Sequence, residues 1–280
     1  MDWESLGQNP GLGTRIAVIG GNMRDSLLPG IIEAGFKSMN IPFDLHCLQV
    51  GAERFPDCIS HLRSIGFRGG AVASPHKVEA ARLAEKYFQN RFAMGVANAL
   101  SFEDRGVFGQ NTECPAIVSL VQNIEPATAL VMGAGSGARS VVAALLDSGW
   151  KVRLWNRNGI RARMMQNTMT RFGKVDILAQ PEPTGCTLVV NATNLGARAG
   201  EKPPVDWGRA PRTTTAMDLV YRRVPTEMLR EAKVRGFTTI DGRALVVEKA
   251  ALSIEWWMER PVDRAPMLEA AGLRVLDVGL

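Results

Sequence analysis

The chain has 280 residues, a formal net charge of +5 at pH 7 and 46% hydrophobic residues. This length predicts about two domains, and the balanced composition excludes disordered, collagen-like and coiled-coil proteins. Apolar runs such as Val141 to Leu146 are far shorter than the ~18 residues that cross a bilayer, so we expect a soluble protein. No basic region followed by an apolar one begins the chain, which predicts a cytoplasmic location.

The spacing of the cysteines and the distribution of charge limit the kinds of ligand that this protein is expected to bind. The four cysteines, Cys47, Cys58, Cys114 and Cys186, form no C-x-x-C pair, and the chain has only three histidines. We therefore expect reduced thiols and no metal site. The 33 basic residues are scattered along the chain, which favours a small anionic ligand over nucleic acid.

The first half of the chain alternates short apolar strands with amphipathic helices, which predicts a parallel sheet. A helix is expected directly after Ser74-Pro75, with Pro75 in its first turn, and another from Asn111-Thr112 to about Ile124. The remaining predicted elements are strands at 15–19, 45–50 and 70–73, helices at 29–39 and roughly 61–65, and a strand pair whose turn is 104–106.

A second alternating series begins at Ala127 and has the pattern of a doubly wound Rossmann domain. The last predicted helix, 246–259, carries Ala250, Ile254 and Trp257 on one face, and we expect it to return to the first domain. The other predicted elements are strands at 129–132, 151–155, 175–178, 187–190 and 216–219, and a helix at 138–148.

A glycine-rich turn joins the first strand of this series to its helix. Gly133, Gly135 and Ala138 match the pattern G-x-G-x-x-A, which permits a tight turn, close approach of a pyrophosphate and close helix packing. The helix N-terminus then faces the phosphates. The predicted cofactor-binding residues of this turn are Gly133, Ala134, Gly135, Ser136, Gly137 and Ala138.

The end of the next strand indicates which dinucleotide is bound. Asn156-Arg157-Asn158 stands where an NAD enzyme has an acid. Arg157, with Arg161 beside it, suits a 2′-phosphate, so NADP is favoured over NAD. The alternative interpretation is that Arg157 and Arg161 are solvated charges on a surface loop and bind no phosphate.

Two further strand ends are expected to line the cofactor, because ligands of open α/β sheets bind at the carboxyl edge. Ala192, Thr193 and Asn194 follow one strand, and Leu219 and Tyr221 follow another. A tightly turned strand end explains Tyr221 nearly as well and explains the neighbouring Asp218 better.

Three segments together resemble, in this order, motifs of the shikimate dehydrogenase family. They are Ser74-Pro75-His76-Lys77, Asn98 within G-V-A-N, and Gly109-Gln-Asn111-Thr112-Glu113. The resemblance covers nearly the whole chain and includes Asp241-Gly242, which adds Gly242 to the cofactor-binding residues. It implies a substrate-binding domain of residues 1–112, with 247–280 packing on it, a Rossmann NADP-binding domain of residues 113–246, and a cleft between them.

The resemblance also implies a reaction, since family members reversibly oxidise a ring alcohol of shikimate. The family's lysine matches Lys77, which implies that Lys77 exchanges the alcohol proton while hydride passes to the nicotinamide. Glu113 replaces the family's assisting aspartate, and its added methylene shifts the carboxylate by about a bond length. The alternatives are a solvated lysine and an acid that complements a helix dipole.

Several substrate positions depart from the family pattern. Ser-x-Ser-Pro becomes Ser26-Leu-Leu-Pro29, Asn-Val-Thr becomes Ala71-Val-Ala73, and a glutamine becomes Lys249, which is either a carboxylate partner or a surface lysine. A site without those polar partners binds shikimate poorly. The predicted substrate-binding residues are Ser26, Ala73, Asn98, Asn111 and Lys249.

The sequence therefore predicts an NADP-dependent oxidoreductase acting on shikimate or a related alicyclic hydroxy acid, such as quinate or aminoshikimate. We expect a monomer or homodimer with no nucleic-acid or membrane partner. The alternative is a noncatalytic NADP- or ligand-binding regulatory module on the same fold, and the complete NADP site argues against it.

Overall fold

A computed structural model describes residues 2–8, 13–24, 26–87 and 94–275, and the chain divides into two compact units. The first unit comprises residues 1–112 and 246–272, and the second comprises 113–245 with the segment from Leu273 onward. Residues 273–275, predicted to pack on the first domain, thus cluster with the second unit. The part of that prediction covering 276–280 lies outside the described residues.

The first unit is built on a mixed sheet. Its described strands are β1 Thr14–Gly20, β2 Phe43–Gln49, β3 Gly69–Val72, β4 Lys86–Tyr87, β5 Ala99–Glu103 and β6 Gly106–Gln110. Their spatial order is β2-β1-β3-β5-β6-β4. β1 is parallel to β2 and β3, whereas β5 is antiparallel to both of its neighbours, β3 and β6. The parallel prediction therefore holds for the first three strands, and the strand pair with its turn at 104–105 supplies the antiparallel part.

The second unit is built on an all-parallel sheet. Its described strands are β7 Thr128–Met132, β8 Lys151–Trp155, β9 Val175–Ile177, β10 Leu188–Asn191, β11 Thr215–Asp218 and β12 Thr238–Ile240. The spatial order β12-β11-β10-β7-β8-β9 is that of a Rossmann fold, and the order reverses between β7 and β10. β7 and β10 are almost wholly buried, which explains their continuous apolar runs.

The helices of the two units lie between and after these strands along the chain. They are α1 Leu28–Ser38, α2 Phe55–Ser64, α3 Lys77–Leu83, α4 Glu113–Val121, α5 Ser136–Asp147, α6 Gly159–Met169, α7 Glu227–Val234, α8 Gly242–Met258 and α9 Arg264–Ala270. Short 3-10 helices occupy Trp3–Ser5, Ala52–Arg54 and Trp207–Arg209. No helix of the described residues is long and apolar enough to cross a membrane.

Two helices of the first unit begin elsewhere than predicted. α2 begins at Phe55, several residues before the predicted start, because Pro56 suits the first turn and the buried face already starts at Phe55. α3 begins at Lys77, so Pro75 lies before the helix and not in its first turn. The Ser74–Pro75 peptide bond is cis, and His76 N donates to Ala73 O at 3.1 Å, which closes a tight turn ahead of α3.

The long helix α8 connects the two units. It begins at Gly242 and not at Val246, because Asp241 Oδ1 accepts a hydrogen bond from Arg243 N at 2.9 Å. Its later part packs on the first sheet as predicted: Trp257 is 2% exposed, and its Nε1 donates to Leu100 O at 2.9 Å. Replacing such a buried tryptophan by alanine costs about 3–5 kcal/mol, so α8 is a major part of the first unit's core.

The cysteines are free thiols in the described part of the chain. Burial raises the pKa of Cys58 and of Cys114 to about 12, and the nearby Glu113 carboxylate adds to the shift at Cys114. Both thiols therefore stay protonated near neutral pH. No group of three or more His, Cys, Asp or Glu side chains among the described residues is arranged to hold a metal ion.

Candidate active site

The glycine-rich turn lies at the carboxyl end of β7, beside the point where the strand order reverses. Gly133 has φ +123°, and a Cβ there would lie 2.5 Å from Ala192 O, so only glycine fits. Gly135 is the N-cap of α5, and no described atom lies within 4 Å of the position its Cβ would take. The open backbone at a helix N-terminus, with no side-chain cap, suits a pyrophosphate.

The rest of the turn packs inward. Ala138 is fully buried on α5. A Cβ on Gly137 would lie 3.1 Å from Leu219 Cδ2, so the loop after β11 reaches the start of α5. Ala134 is half-buried and Ser136 is exposed.

The loop after β8 carries the residues predicted to select NADP. Arg157 and Arg161 are exposed, one just after the strand and the other in the first turn of α6. Asn158 has a structural task here: its Oδ1 accepts hydrogen bonds from Ile160 N and Arg161 N and so caps α6. Asn156 Nδ2 donates to Asn158 O at 2.9 Å, which stiffens the same loop.

The loops after β10 and β11 lie against the glycine turn. Thr193 Oγ1 donates to Asn191 Oδ1 at 2.7 Å, so this predicted cofactor residue is first of all tied to its own loop. Asn194 is exposed and Tyr221 is half-buried. A Cβ on Gly242 would lie 2.7–2.9 Å from three carbonyl oxygens of residues 218–220, so Gly242 makes a close backbone packing contact with that loop.

Glu113 is the first residue of α4 and is 5% exposed. Its Oε1 lies 3.7 Å from the position of a Cβ on Gly137, which places the carboxylate beside the N-terminus of α5. The positive end of a helix stabilises an ionised carboxylate. Glu113 thus lies next to the predicted phosphate-binding turn of its own unit.

In the first unit, Lys77 is held through its backbone. It begins α3, and its carbonyl accepts a hydrogen bond from Ala97 N at 2.8 Å. The preceding His76 is 2% exposed, stacks on Phe55 with ring centroids 4.6 Å apart, and donates to Val50 O at 2.9 Å. Burial lowers the pKa of His76, so it stays neutral and serves as an anchor for the start of α3.

The loops after β1 and β3 meet near Lys77. Gly21 N donates to Ser74 O at 3.1 Å, and a Cβ on Gly20 would lie 3.1 Å from the Ala73 methyl group. Ser26, further along the first loop, is half-buried and accepts from Leu28 N at 3.3 Å. Its hydroxyl hydrogen is not used in that bond.

Asn98 and Thr112 form a buried pair that joins two more of the predicted residues. Asn98 Nδ2 donates to Thr112 Oγ1 at 2.7 Å, and Thr112 N donates to Asn98 Oδ1 at 2.8 Å. Thr112 Oγ1 in turn donates to Lys249 O at 3.2 Å. These bonds use one of the two amide hydrogens of Asn98 and leave the other for a ligand. Asn111, which precedes Thr112, is also buried.

Two residues of these networks were not predicted as site residues. Thr112 was part of the family motif and a predicted helix-start residue, and a strand end explained Asp218 better than a cofactor contact. Both are fully buried and hydrogen-bonded to residues distant in the chain. For Thr112 the signal was its place in the family motif, and for Asp218 it was a polar residue at the end of an apolar strand.

Comparison with known proteins gives a consistent result. Residues 18–100 match the family model "Shikimate dehydrogenase substrate binding domain". The chain is 33% identical over 261 residues to the shikimate dehydrogenase (NADP(+)) of Methanocella arvoryzae, a match that covers 89% of this chain and 96% of that protein.

Solved structures share the fold over nearly the full length. Shikimate 5-dehydrogenase of Thermus thermophilus, in complex with NADP(H) and shikimate, has a TM-score of 0.84 and 28% identity, covering 92% of this chain and 98% of that one. A quinate dehydrogenase of Corynebacterium glutamicum in complex with NAD has a TM-score of 0.84 and 20% identity, covering 92% of this chain and 98% of that one. At this identity the likeness shows the fold alone.

Proposed function

Because the chain belongs to the shikimate dehydrogenase family, we propose that it is an NADP-dependent oxidoreductase that interconverts a ring alcohol and a ketone of shikimate or a related alicyclic hydroxy acid, such as quinate or aminoshikimate. The observation that carries this proposal is the match with an NADP(+) shikimate dehydrogenase over 89% of the chain. The predicted cytoplasmic location and the monomer or homodimer state remain predictions.

The second unit supplies the groups that hold NADP. The backbone N–H groups at the open end of α5 bind the pyrophosphate, and Arg157 with Arg161 binds the 2′-phosphate. Residues 192–194 and 219–221 line the site from neighbouring strand ends. When bound, the nicotinamide supplies the acceptor or donor of the hydride.

Lys77 and Glu113 carry the proton chemistry. As the alcohol is oxidised, its hydroxyl proton passes to the amine form of Lys77 Nζ, and in the reverse direction the resulting ammonium group returns a proton to the carbonyl oxygen. The backbone bond from Ala97 and the buried His76 anchor hold the start of α3 in place for this task. Glu113, whose carboxylate lies beside the N-terminus of α5, assists by accepting a hydrogen bond from a substrate hydroxyl.

The residues around Lys77 favour a substrate with fewer polar contacts than shikimate receives in the family. Ala73 presents only a methyl group, and Leu28 and Ala71 likewise replace polar family residues. Asn98 offers one amide hydrogen, because Thr112 uses its other groups. A substrate hydroxyl without a partner loses binding energy, so we expect shikimate to be turned over weakly.

The test is NADPH formation by the purified protein with NADP or NAD and a panel of shikimate, quinate and aminoshikimate. We expect NADP-dependent turnover of at least one acid, and its loss in Lys77→Ala. Lys233→Ala, which removes an exposed lysine on α7 outside the site, is the matched control and should retain full activity.

The outcomes separate the candidate functions. NADP binding without turnover of any acid or ketone on a wide alicyclic panel supports the noncatalytic regulatory module on the same fold. Failure to bind NADP contradicts the oxidoreductase and favours a noncatalytic ligand-binding module on the same fold.

A further inference from the structure

Asp218 is a fully buried carboxylate at the carboxyl end of β11 that the proposed chemistry does not use. It accepts three hydrogen bonds. Asn191 Nδ2 and Val220 N donate to Oδ1 at 2.8 and 3.0 Å, and Thr226 Oγ1 donates to Oδ2 at 2.6 Å. The carboxylate therefore joins the ends of two adjacent strands to the residue that caps α7.

Asn191 connects Asp218 to the loop after β10 through hydrogen bonds. Its Nδ2 also donates to Leu195 O at 2.9 Å, and its Oδ1 accepts from Thr193 N and Thr193 Oγ1 at 3.1 and 2.7 Å. A carboxylate only accepts hydrogen bonds, so it requires the NH₂ side of the Asn191 amide to face it. The oxygen side is thereby directed to Thr193, and the polarity of the amide is fixed.

Both loops that Asp218 holds lie against the glycine turn. A Cβ on Gly133 would lie 2.5 Å from Ala192 O and 3.2 Å from Thr193 N. On the other side, Leu219 Cδ2 lies 3.1 Å from the Cβ position of Gly137. A shift of either loop by a few tenths of an ångström therefore alters the turn that is expected to bind the pyrophosphate.

We propose that Asp218 is a positioning residue for the dinucleotide: its ionised carboxylate orients Asn191 and holds residues 191–196 and 219–221 in the form that binds NADP. The proposal rests on the proposed function, since it concerns the same cofactor site. Hydrogen bonds to a charged acceptor are stronger than those to a neutral one, so protonation of Asp218 loosens both loops and weakens dinucleotide binding.

The surroundings of Asp218 raise the pKa of its carboxyl group towards neutral pH. Burial raises the pKa of Asp218 to about 6, although hydrogen bonds from Thr226, Val220 and Asn191 oppose the rise. Asp241, at the end of β12, adds to the rise and is itself paired with Arg243, whose Nη2 lies 3.0 Å from Asp241 Oδ2. The groups facing Asp218 from β10 and from the α7 cap are the neutral Asn191 and Thr226.

The direct test is Asp218→Asn, with dinucleotide affinity measured by titration calorimetry. Asparagine at this position keeps two acceptor bonds and donates to Thr226, so the fold is retained while the charge is lost. We expect affinity well above pH 6 to fall about threefold to tenfold, the range of one weakened hydrogen bond. NADH is the better probe, because the 2′-phosphate of NADP also titrates near pH 6.

Measuring thermal stability distinguishes this positioning role from a purely structural role of Asp218. The folded pKa of about 6 lies above the ordinary value of 3.8, so the stability that protonated Asp218 contributes is lost as the pH rises from 3.8 to about 6, and the full cost of ionisation is present above pH 6. Asp218→Asn removes that cost and should raise the melting temperature above pH 6 while lowering affinity. Asp206→Asn, which removes an exposed carboxylate of the same unit, controls for net charge.

The wild-type protein gives a second test that needs no variant. Its NADH affinity should fall as the pH is lowered through 6, and Asp218→Asn should abolish that dependence. A variant that binds NADH as tightly as the wild type above pH 6, or a wild-type affinity that is flat across this range, overturns the proposal. Absence of dinucleotide binding by the wild type overturns the proposed function as well, and so is a distinguishable result.

Discussion

Replacing two threonines whose hydroxyl oxygens are buried by valine should change stability in opposite directions. Thr112 Oγ1 accepts from Asn98 Nδ2 at 2.7 Å and donates to Lys249 O at 3.2 Å. Thr187 Oγ1 is buried as well but has no hydrogen-bond partner among the described residues. Valine keeps the shape of threonine and removes only the hydroxyl, so the pair isolates the contribution of that group.

The size of each change in stability depends on which hydrogen-bonding groups lose a partner when the hydroxyl is removed. In Thr112→Val the carbonyl of Lys249 keeps its bond from Ser253 Oγ at 2.8 Å, whereas Asn98 Nδ2 loses its acceptor. One buried donor without a partner costs about 1–3 kcal/mol. Thr187→Val instead removes a hydroxyl that is already desolvated and unpaired, which should stabilise the protein by about 1 kcal/mol.

Differential scanning calorimetry is the suitable assay, because the chain divides into two units that need not unfold together. Thr112 belongs to the first unit and Thr187 to the second, so each variant should shift its own transition. At roughly 2–4 °C per kcal/mol for domains of this size, we expect a fall of several degrees for Thr112→Val and a small rise for Thr187→Val. Equal shifts in the same direction would refute the reasoning.

Further predictions concern the reaction and the cofactor. Lys77→Ala should abolish turnover and leave NADP affinity unchanged by calorimetry, because Lys77 lies outside the cofactor-binding unit; a parallel loss of NADP binding contradicts its role. Arg157→Ala removes charge-assisted hydrogen bonds worth about 1.5–3 kcal/mol, so the Kd of NADP should rise about 10- to 100-fold with little change for NAD. An equal loss for both cofactors argues against a 2′-phosphate contact. Gly133→Ala should destabilise the second unit, since its Cβ would lie 2.5 Å from Ala192 O. Gly135→Ala meets no described atom within 4 Å, so it should keep the melting temperature and weaken only NADP binding; a comparable loss of stability in both glycine variants contradicts this distinction.

The sequence predicts many of these elements well because the central parallel strands are buried on both faces. The short apolar runs at β7 and β10 mark strands whatever their neighbours, and the glycine turn marks the nucleotide-binding edge. The start of α8 was misplaced because apolar periodicity begins only at Ala244, after Arg243, which is 6% exposed and bonded to Asp241. A buried charged residue at a helix start gives no apolar signal.

The networks of the candidate site were harder to predict, because their partners are distant in the chain. Asn98 was identified, but its bonds to Thr112, 14 residues later, depend on how β5 and β6 pair. Asp218 and Asn191 are 27 residues apart and meet because β10 and β11 are in register. Local sequence contains the residue types and not the register, so the roles of Thr112 and Asp218 required the three-dimensional structure.

The shared helix α8 has a consequence for the order in which the protein matures on the ribosome. The first unit needs residues 246–272, whose Trp257 and Ile254 fill space beside Gly69 and Gly35. Residues 1–112 emerge from the ribosome before residues 246–272, so their core is complete only once residue 272 has been synthesised. The second unit has its entire sheet by residue 240 and can fold before then. The first unit therefore begins to be synthesised before the second unit but completes its core after it.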